Sequence, residues 1–157
     1  MTLAADAVRR LTEARLTVAV AESLTGGAVC DALVDVPGAS VVLRGGVVAY
    51  ATGVKADLLG VPRELLDAHG AVHPEVAREM AERVRVLLGA DLGVATTGVA
   101  GPDPQDGRPP GEVYVALAGA GPTAVEPLTV TGDRAAVRAA AVRRALELLL
   151  RAGDARR

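Results

Sequence analysis

Residues 16–34 read LTVAVAESLTGGAVCDALV, and this stretch decides the fold. Leu16 to Ala21 form a short run of β-branched and small apolar side chains, the composition of a strand, which ends at Glu22-Ser23. Thr25-Gly26-Gly27 then turns the chain into Ala28–Val34, whose apolar residues recur at helical spacing. The unit reads strand, tight loop, helix.

Upstream, Ala4, Ala7, Val8 and Leu11 share one helical face, with Arg9, Arg10 and Glu13 elsewhere, and Thr2 stands ready as the cap. Downstream, Pro37-Gly38 breaks the second helix and RGGVVAY (44–50) reads as a second strand, with Lys55 beyond it in the short helix VKADLLG. A turn of helix is expected over 63–68. A longer, one-faced helix follows over 74–88, where Val76, Met80, Val84 and Leu87 recur every three or four residues.

The segment 91–97, DLGVATT, is the third expected strand, running into the Gly- and Pro-rich loop GVAGPDPQDGRPPG. A long loop at a strand end is commonly functional. Strands over 113–118 and 124–131 flank the Gly119–Pro122 turn, a helix covers 133–151, and the tail GDARR is expected to fray. Helices on both sides of the strands predict an α/β protein, a three-layer α/β/α sandwich with a mixed sheet, forming one domain over residues 1–157.

Composition narrows the function. The net charge of −2, with sixteen Arg dispersed among nineteen acids, supplies no field for a phosphate backbone, and without Phe or Trp there is no platform for stacking bases. No nucleic-acid partner is expected. The single Cys30, an N-terminus unlike a signal peptide and the lack of an uncharged apolar run near ~20 residues predict a cytoplasmic protein without a membrane partner.

The chain is poor in the side chains that do hydrolytic chemistry, so their positions matter. Ser23 and Ser40 are its two serines and Lys55 its one lysine. Glu22-Ser23-Leu24-Thr25-Gly26-Gly27 joins a strand end to a helix start, where backbone N–H groups favour an anion or an oxyanion. The plainer reading is a helix cap and a glycine turn. Ser40, Tyr50 and Lys55 flank one strand: a desolvated lysine can take a serine proton while a tyrosine hydroxyl helps to orient it, which arginine cannot do. The ordinary alternative is an exposed lysine at a helix start.

His69 and His73, four apart but separated by Gly70, make a poor metal pair, and Cys30 within an apolar helix reads as a buried thiol; neither a metal nor a cofactor is expected. Thr96-Thr97-Gly98 with Val99-Ala100-Gly101-Pro102 brings hydroxyls and flexible backbone suited to a substrate amide or phosphate. Thr131-Gly132-Asp133-Arg134 puts a guanidinium at a helix start, with Asp133 as the alternative cap.

AESLTGG, the PGAS segment, RGGVVAY with Lys55 after it, HGAV, TTGVAGP and GEVYVAL, spread between Leu16 and Arg134, closely resemble the CinA C-terminal domain family. The resemblance implies an oligomerising α/β/α sandwich and a nicotinamide-nucleotide amidase of pyridine nucleotide salvage. It further implies Ser40 as nucleophile, Lys55 as base and Tyr50 as supporting hydroxyl. Ser23, Thr25, Gly26 and Gly27 match the family's first loop, and Thr97, Gly98, Gly101 and Arg134 match positions around the nucleotide.

Two places depart from the pattern: His73 stands where serine is common after GAV, and DPQDGRPP replaces a Gly-Gly run with a lysine. The longer family proteins carry an additional N-terminal domain, and a standalone amidase domain is expected here. The expected partners are a small nucleotide substrate and further copies of the chain. A pocket that binds nucleotide without turnover, as a regulatory module, is the alternative.

Overall fold

The computed structural model describes residues 1–155. Its elements are α1 (Leu3–Ala14), β1 (Val18–Glu22), α2 (Ala28–Val34), a single 3₁₀ turn (Ala39–Val41), β2 (Leu43–Val48), α3 (Thr52–Asp57), α4 (Arg63–His69), α5 (Pro74–Leu87), β3 (Leu92–Gly98), β4 (Glu112–Ala118), β5 (Ala124–Thr129) and α6 (Arg134–Asp154). The strands form one sheet in the order β2-β1-β3-β4-β5. β2, β1 and β3 run parallel, whereas β3–β4 and β4–β5 pair antiparallel. The expected single-domain three-layer sandwich with a mixed sheet is what the chain forms.

Burial follows from strand position. Every residue of β1 and β3 is buried, as central strands covered on both faces must be, while β2 alternates half-buried and exposed at the sheet edge. Within β1 the two faces differ in bulk. Val18 and Val20 join Leu11, Val29, Leu33 and Leu149 in the core beneath α1, α2 and α6, and Ala19 and Ala21 meet Val76, Met80 and Val84 of α5.

Small residues on the second face let α5 lie close to the sheet. At Gly93 the approach is closest: a Cβ there would stand 2.0 Å from the Ala81 carbonyl oxygen. On the opposite face Gly153 plays the same part between helices, since its Cβ would fall 2.7 Å from that of Arg10 in α1. This packing carries α6 through Gly153-Asp154, so the expected fraying is not seen there; Arg156 and Arg157 lie outside the described residues.

Caps obey local chemistry. Thr2 Oγ1 accepts the Ala5 N–H at 3.2 Å and Asp133 Oδ1 accepts the Ala136 N–H at 2.9 Å, so Asp133 is the cap of α6. Among the described residues no helix is long and apolar enough to cross a membrane.

The parallel half of the sheet positions the site. β1 returns through α2 to β2, and β2 returns through α3, α4 and α5 to β3, so all three strands end on one edge. There Ser23, Ala49–Lys55 and Val99–Gly101 converge, the carboxyl end of the strands where open α/β sheets bind ligands.

Candidate active site

Ser23 follows the last residue of β1 and is held by backbone bonds on both sides. Its N–H donates to Thr96 O at 3.1 Å, and the Ala49 N–H donates to Glu22 O at 2.8 Å. Strand pairing thus continues past the strand ends and brings the segment after β2 beside Ser23. Lys55, one turn into α3, reaches back into this junction and is fully buried at 0 % exposure.

Lys55 Nζ has three acceptors: Ala49 O at 2.6 Å, Ser23 Oγ at 3.0 Å and Tyr50 O at 3.3 Å. As an ammonium it spends one hydrogen on each. As a neutral amine it keeps two hydrogens on the carbonyls, which leaves its lone pair toward Ser23 and lets the hydroxyl donate. Burial favours that neutral form, lowering the lysine from 10.5 to about 8, with the negative charge of Asp106 pulling the other way.

The Ser23 hydroxyl opens into a cleft of about 630 Å³. It is lined by Leu24, Tyr50 and Ala51, by Gly98–Gly101 and Pro102–Gln105, and by Arg134. Arg134 donates to Gly101 O at 2.7 Å and to the Tyr50 hydroxyl at 3.0 Å, tying together two segments that line the cleft.

The expected meeting of Ser40 with Lys55 is not found. Ser40 is exposed on the turn before β2, in a separate surface pocket with Val34, Pro37 and Leu43, whereas Lys55 follows the far end of β2. Six strand residues at about 3.3 Å each hold the two ends roughly 16–20 Å apart, so flanking one strand separates them instead of joining them. Lysine's serine partner is Ser23. Tyr50 is also corrected in part: its carbonyl, not its hydroxyl, contacts Lys55, and its 58 % exposed side chain faces the cleft and Arg134.

Of the residues matched to the family, Ser23, Gly98, Gly101 and Arg134 line the cleft, whereas Thr25, Gly26, Gly27 and Thr97 do not. Thr25 and Thr96 share a buried hydroxyl–hydroxyl bond of 2.8 Å, and Thr97 Oγ1 donates to Ala71 O at 2.8 Å. Gly26 and Gly27, with φ of 60° and 104°, supply left-handed backbone for the turn into α2.

Neither Ser23 nor Thr25 caps α2. Buried Glu22, which the sequence does not single out as a cap, accepts the Val29 and Cys30 N–H groups at 2.9 and 3.1 Å. Its position at the strand end, before a loop opening a helix, was the signal. Cys30 is half-buried, and burial together with the Glu22 charge pushes its thiol up to about 12, so it is no thiolate.

The departures in sequence have local explanations. His73 caps α5, its Nδ1 accepting the Glu75 N–H at 3.2 Å, a task serine performs equally well. Its ring stacks on that of His69 with centroids 4.2 Å apart, and burial, His69 and Arg108 lower its affinity for a proton. In the altered loop, Asp106 Oδ2 accepts the Ala71 N–H at 3.1 Å, so the loop is tied down beside the cleft. Among the described residues no group of three or more His, Cys, Asp or Glu side chains could hold a metal ion.

The whole arrangement has relatives. A 50% identical CinA-like protein of Frankia casuarinae aligns over 141 residues, 90% of this chain and 33% of its own length. A Geobacillus kaustophilus protein named for competence-damage induction is 51% identical over 138 residues, 87% of this chain and 33% of its own. The chain therefore spans about a third of the length of these relatives.

Among solved structures, a CinA superfamily protein of Klebsiella pneumoniae superposes with a TM-score of 0.93 at 33% identity, covering 97% of this chain and 96% of the other. The competence/damage inducible protein CihA of Agrobacterium tumefaciens gives 0.89 at 34% identity, covering 96% of each. The CinA C-terminal domain model matches residues 1–152, and the chain belongs to that family.

Proposed function

We propose that this chain is a nicotinamide-nucleotide amidase, hydrolysing the carboxamide of nicotinamide mononucleotide to the nicotinate nucleotide and ammonia, with Ser23 as nucleophile and Lys55 as base. The observation that carries the reading is the 3.0 Å contact between Ser23 Oγ and a fully buried lysine whose other hydrogens are held by two carbonyls. A serine is a weak nucleophile until such a base accepts its proton. The substrate comes from the family resemblance. It suits a cleft lined by one cation for a phosphate, Arg134, by the ring of Tyr50, by the backbone of Gly98–Gly101 and by the nucleophile, with Asp103 as the one carboxylate among the lining residues.

In this mechanism Ser23 Oγ bonds to the carboxamide carbon as its proton passes to the neutral Lys55 amine. The tetrahedral adduct collapses when Lys55 returns that proton to the leaving nitrogen, which departs as ammonia and leaves an ester on Ser23. Water then attacks the ester, Lys55 takes the water's proton and passes it to Ser23 Oγ, and the carboxylate product is released. One lysine serves as base and acid in turn, so a value near neutrality suits it.

The test is incubation of the purified chain with nicotinamide mononucleotide, without added metal, following both products. Turnover abolished in Ser23→Ala and retained in Ser40→Ala supports the assignment. Turnover that survives Ser23→Ala would sink it, and saturable binding by a wild-type chain that releases no ammonia would identify a binding module instead.

A further inference from the structure

The stretch DPQDGRPP, where this chain departs from the family pattern, supplies the one carboxylate among the residues lining the cleft, that of Asp103. It is uncommitted. Among the described residues no hydrogen bond or ion pair engages the exposed Asp103 side chain, and Arg134, which lines the same cleft, spends its bonds on Gly101 O and the Tyr50 hydroxyl.

The loop that carries Asp103 is nevertheless held on both sides. Before it, Arg134 fixes Gly101. After it, the Gln105 N–H donates to Arg108 O at 3.1 Å and the Arg108 N–H to Gln105 O at 2.8 Å, closing a tight turn whose central residues, Asp106 and Gly107, have φ of 51° and 74°. Asp106 Oδ2 then accepts the Ala71 N–H at 3.1 Å, and the close approach needs Gly70, where a Cβ would stand 2.7 Å from that of Asp106. Ala71 is anchored in turn, since its carbonyl accepts the Thr97 hydroxyl of β3 at 2.8 Å. The loop is thus tied back to the central sheet, and Asp103 is presented to the cleft on a pre-organised segment.

An ionised carboxylate only accepts hydrogen bonds, so a ligand that satisfies it must bring donors. In a nicotinamide mononucleotide the anionic phosphate is repelled by Asp103, the carboxamide belongs to Ser23, and the pyridinium nitrogen carries no hydrogen. The two adjacent ribose hydroxyls are the donors that remain. We propose that Asp103 accepts the 2′- and 3′-hydroxyls of the substrate ribose, one on each carboxylate oxygen, and so makes the altered loop the element that reads the sugar. The proposal rests on the amidase reading of the cleft. It divides the lining by charge, with Arg134 for the phosphate and Asp103 for the diol, and bonds to an ionised acceptor are the stronger kind.

The experiment compares the wild type, Asp103→Ala and, as a control, Asp67→Ala, which removes an exposed carboxylate of α4 outside the cleft. Each is given nicotinamide mononucleotide and its 2′,3′-dideoxy analogue, which keeps the phosphate, the pyridinium and the carboxamide. One readout is kcat/KM for ammonia release. The other is Kd by calorimetry, with Ser23→Ala added to every chain so that both compounds stay intact.

On the mononucleotide, Asp103→Ala is expected to lower kcat/KM and to weaken binding by about 10 to 100-fold. On the dideoxy analogue the same substitution changes either quantity by less than about twofold, because the bonds it removes are already missing. Asp67→Ala matches the wild type on both. Unchanged or tighter binding of the mononucleotide by Asp103→Ala overturns the proposal, the latter marking relief of repulsion from the phosphate. So do equal losses on both compounds, which mark an effect on the pyridinium charge. Should the chain bind the mononucleotide but release no ammonia, the amidase reading fails while the Kd values still decide this one; a chain that binds neither compound ends both.

Discussion

Lys55 Nζ stands 3.0 Å from Ser23 Oγ although 32 positions separate the two residues, and the lysine is fully buried. The contact exists because β1 and β2 are adjacent and parallel, so whatever follows one strand meets whatever follows the other. Serine and lysine are each supplied by a different strand end, and the sheet aligns them.

The two serines therefore separate by role. Ser23→Ala is expected to lower amide hydrolysis by at least about 10³-fold, while Ser40→Ala stays within about twofold of the wild type. Ammonia release under saturating substrate, with thermal unfolding as the check on folding, decides between them.

Activity should rise with pH and level off above about 8, where Lys55 loses its proton. Lys55→Arg keeps a cation but provides no base, and loses activity at every pH. Stability responds in the same range. The folded value lies below the ordinary 10.5, so the unfolded chain binds the extra proton between about 8 and 10.5, and this residue's penalty on the fold is relieved as the pH rises through that window. A kcat/KM profile and denaturant unfolding at several pH values check both.

Arg134 lines the cleft while bonded to Gly101 O and the Tyr50 hydroxyl. Arg134→Gln is expected to raise KM for the mononucleotide by about 10 to 100-fold with a smaller change in kcat, as loss of a phosphate contact would. The riboside, which lacks the phosphate, should be far less sensitive; equal losses on both substrates would contradict a phosphate role.

Glu22 holds the start of α2 from within the core, each carboxylate oxygen accepting one amide. Glu22→Gln replaces one acceptor by a donor aimed at a buried N–H, and is expected to cost about 1–3 kcal/mol of stability. Chemical denaturation measures it, and an unchanged midpoint would show that α2 starts without this help.

Gly93→Ala tests the small-residue face. Its Cβ would press on the Ala81 carbonyl oxygen at 2.0 Å, a backbone contact that no rotamer change relieves. A loss of about 3 kcal/mol or more is expected, read as a lowered unfolding midpoint.

Much of the architecture was legible because it is local. Periodicity in 74–88 and the β-branched run beginning at Leu16 report their elements directly, and Gly-Pro clusters mark where they end. Boundaries moved where tertiary contacts intervened: α6 continues through Gly153 because α1 packs against it, and β3 takes in Gly98 because β4 pairs with it. The site was half legible. Lysine is unique among sixteen arginines, so its importance showed in composition alone, whereas its partner did not.

The sequence by itself determined the alternation of strands and helices, the scarcity of serine and lysine, and the glycine turn that carries Ser23. Only the tertiary structure decided which serine meets Lys55, that Tyr50 turns its hydroxyl to Arg134, and that Thr97 is spent on Ala71. The reason is directional. Spacing along a chain says how far apart two residues are in sequence, but a parallel strand carries its two flanks to opposite edges of the sheet. It gathers at one edge the residues that follow different strands.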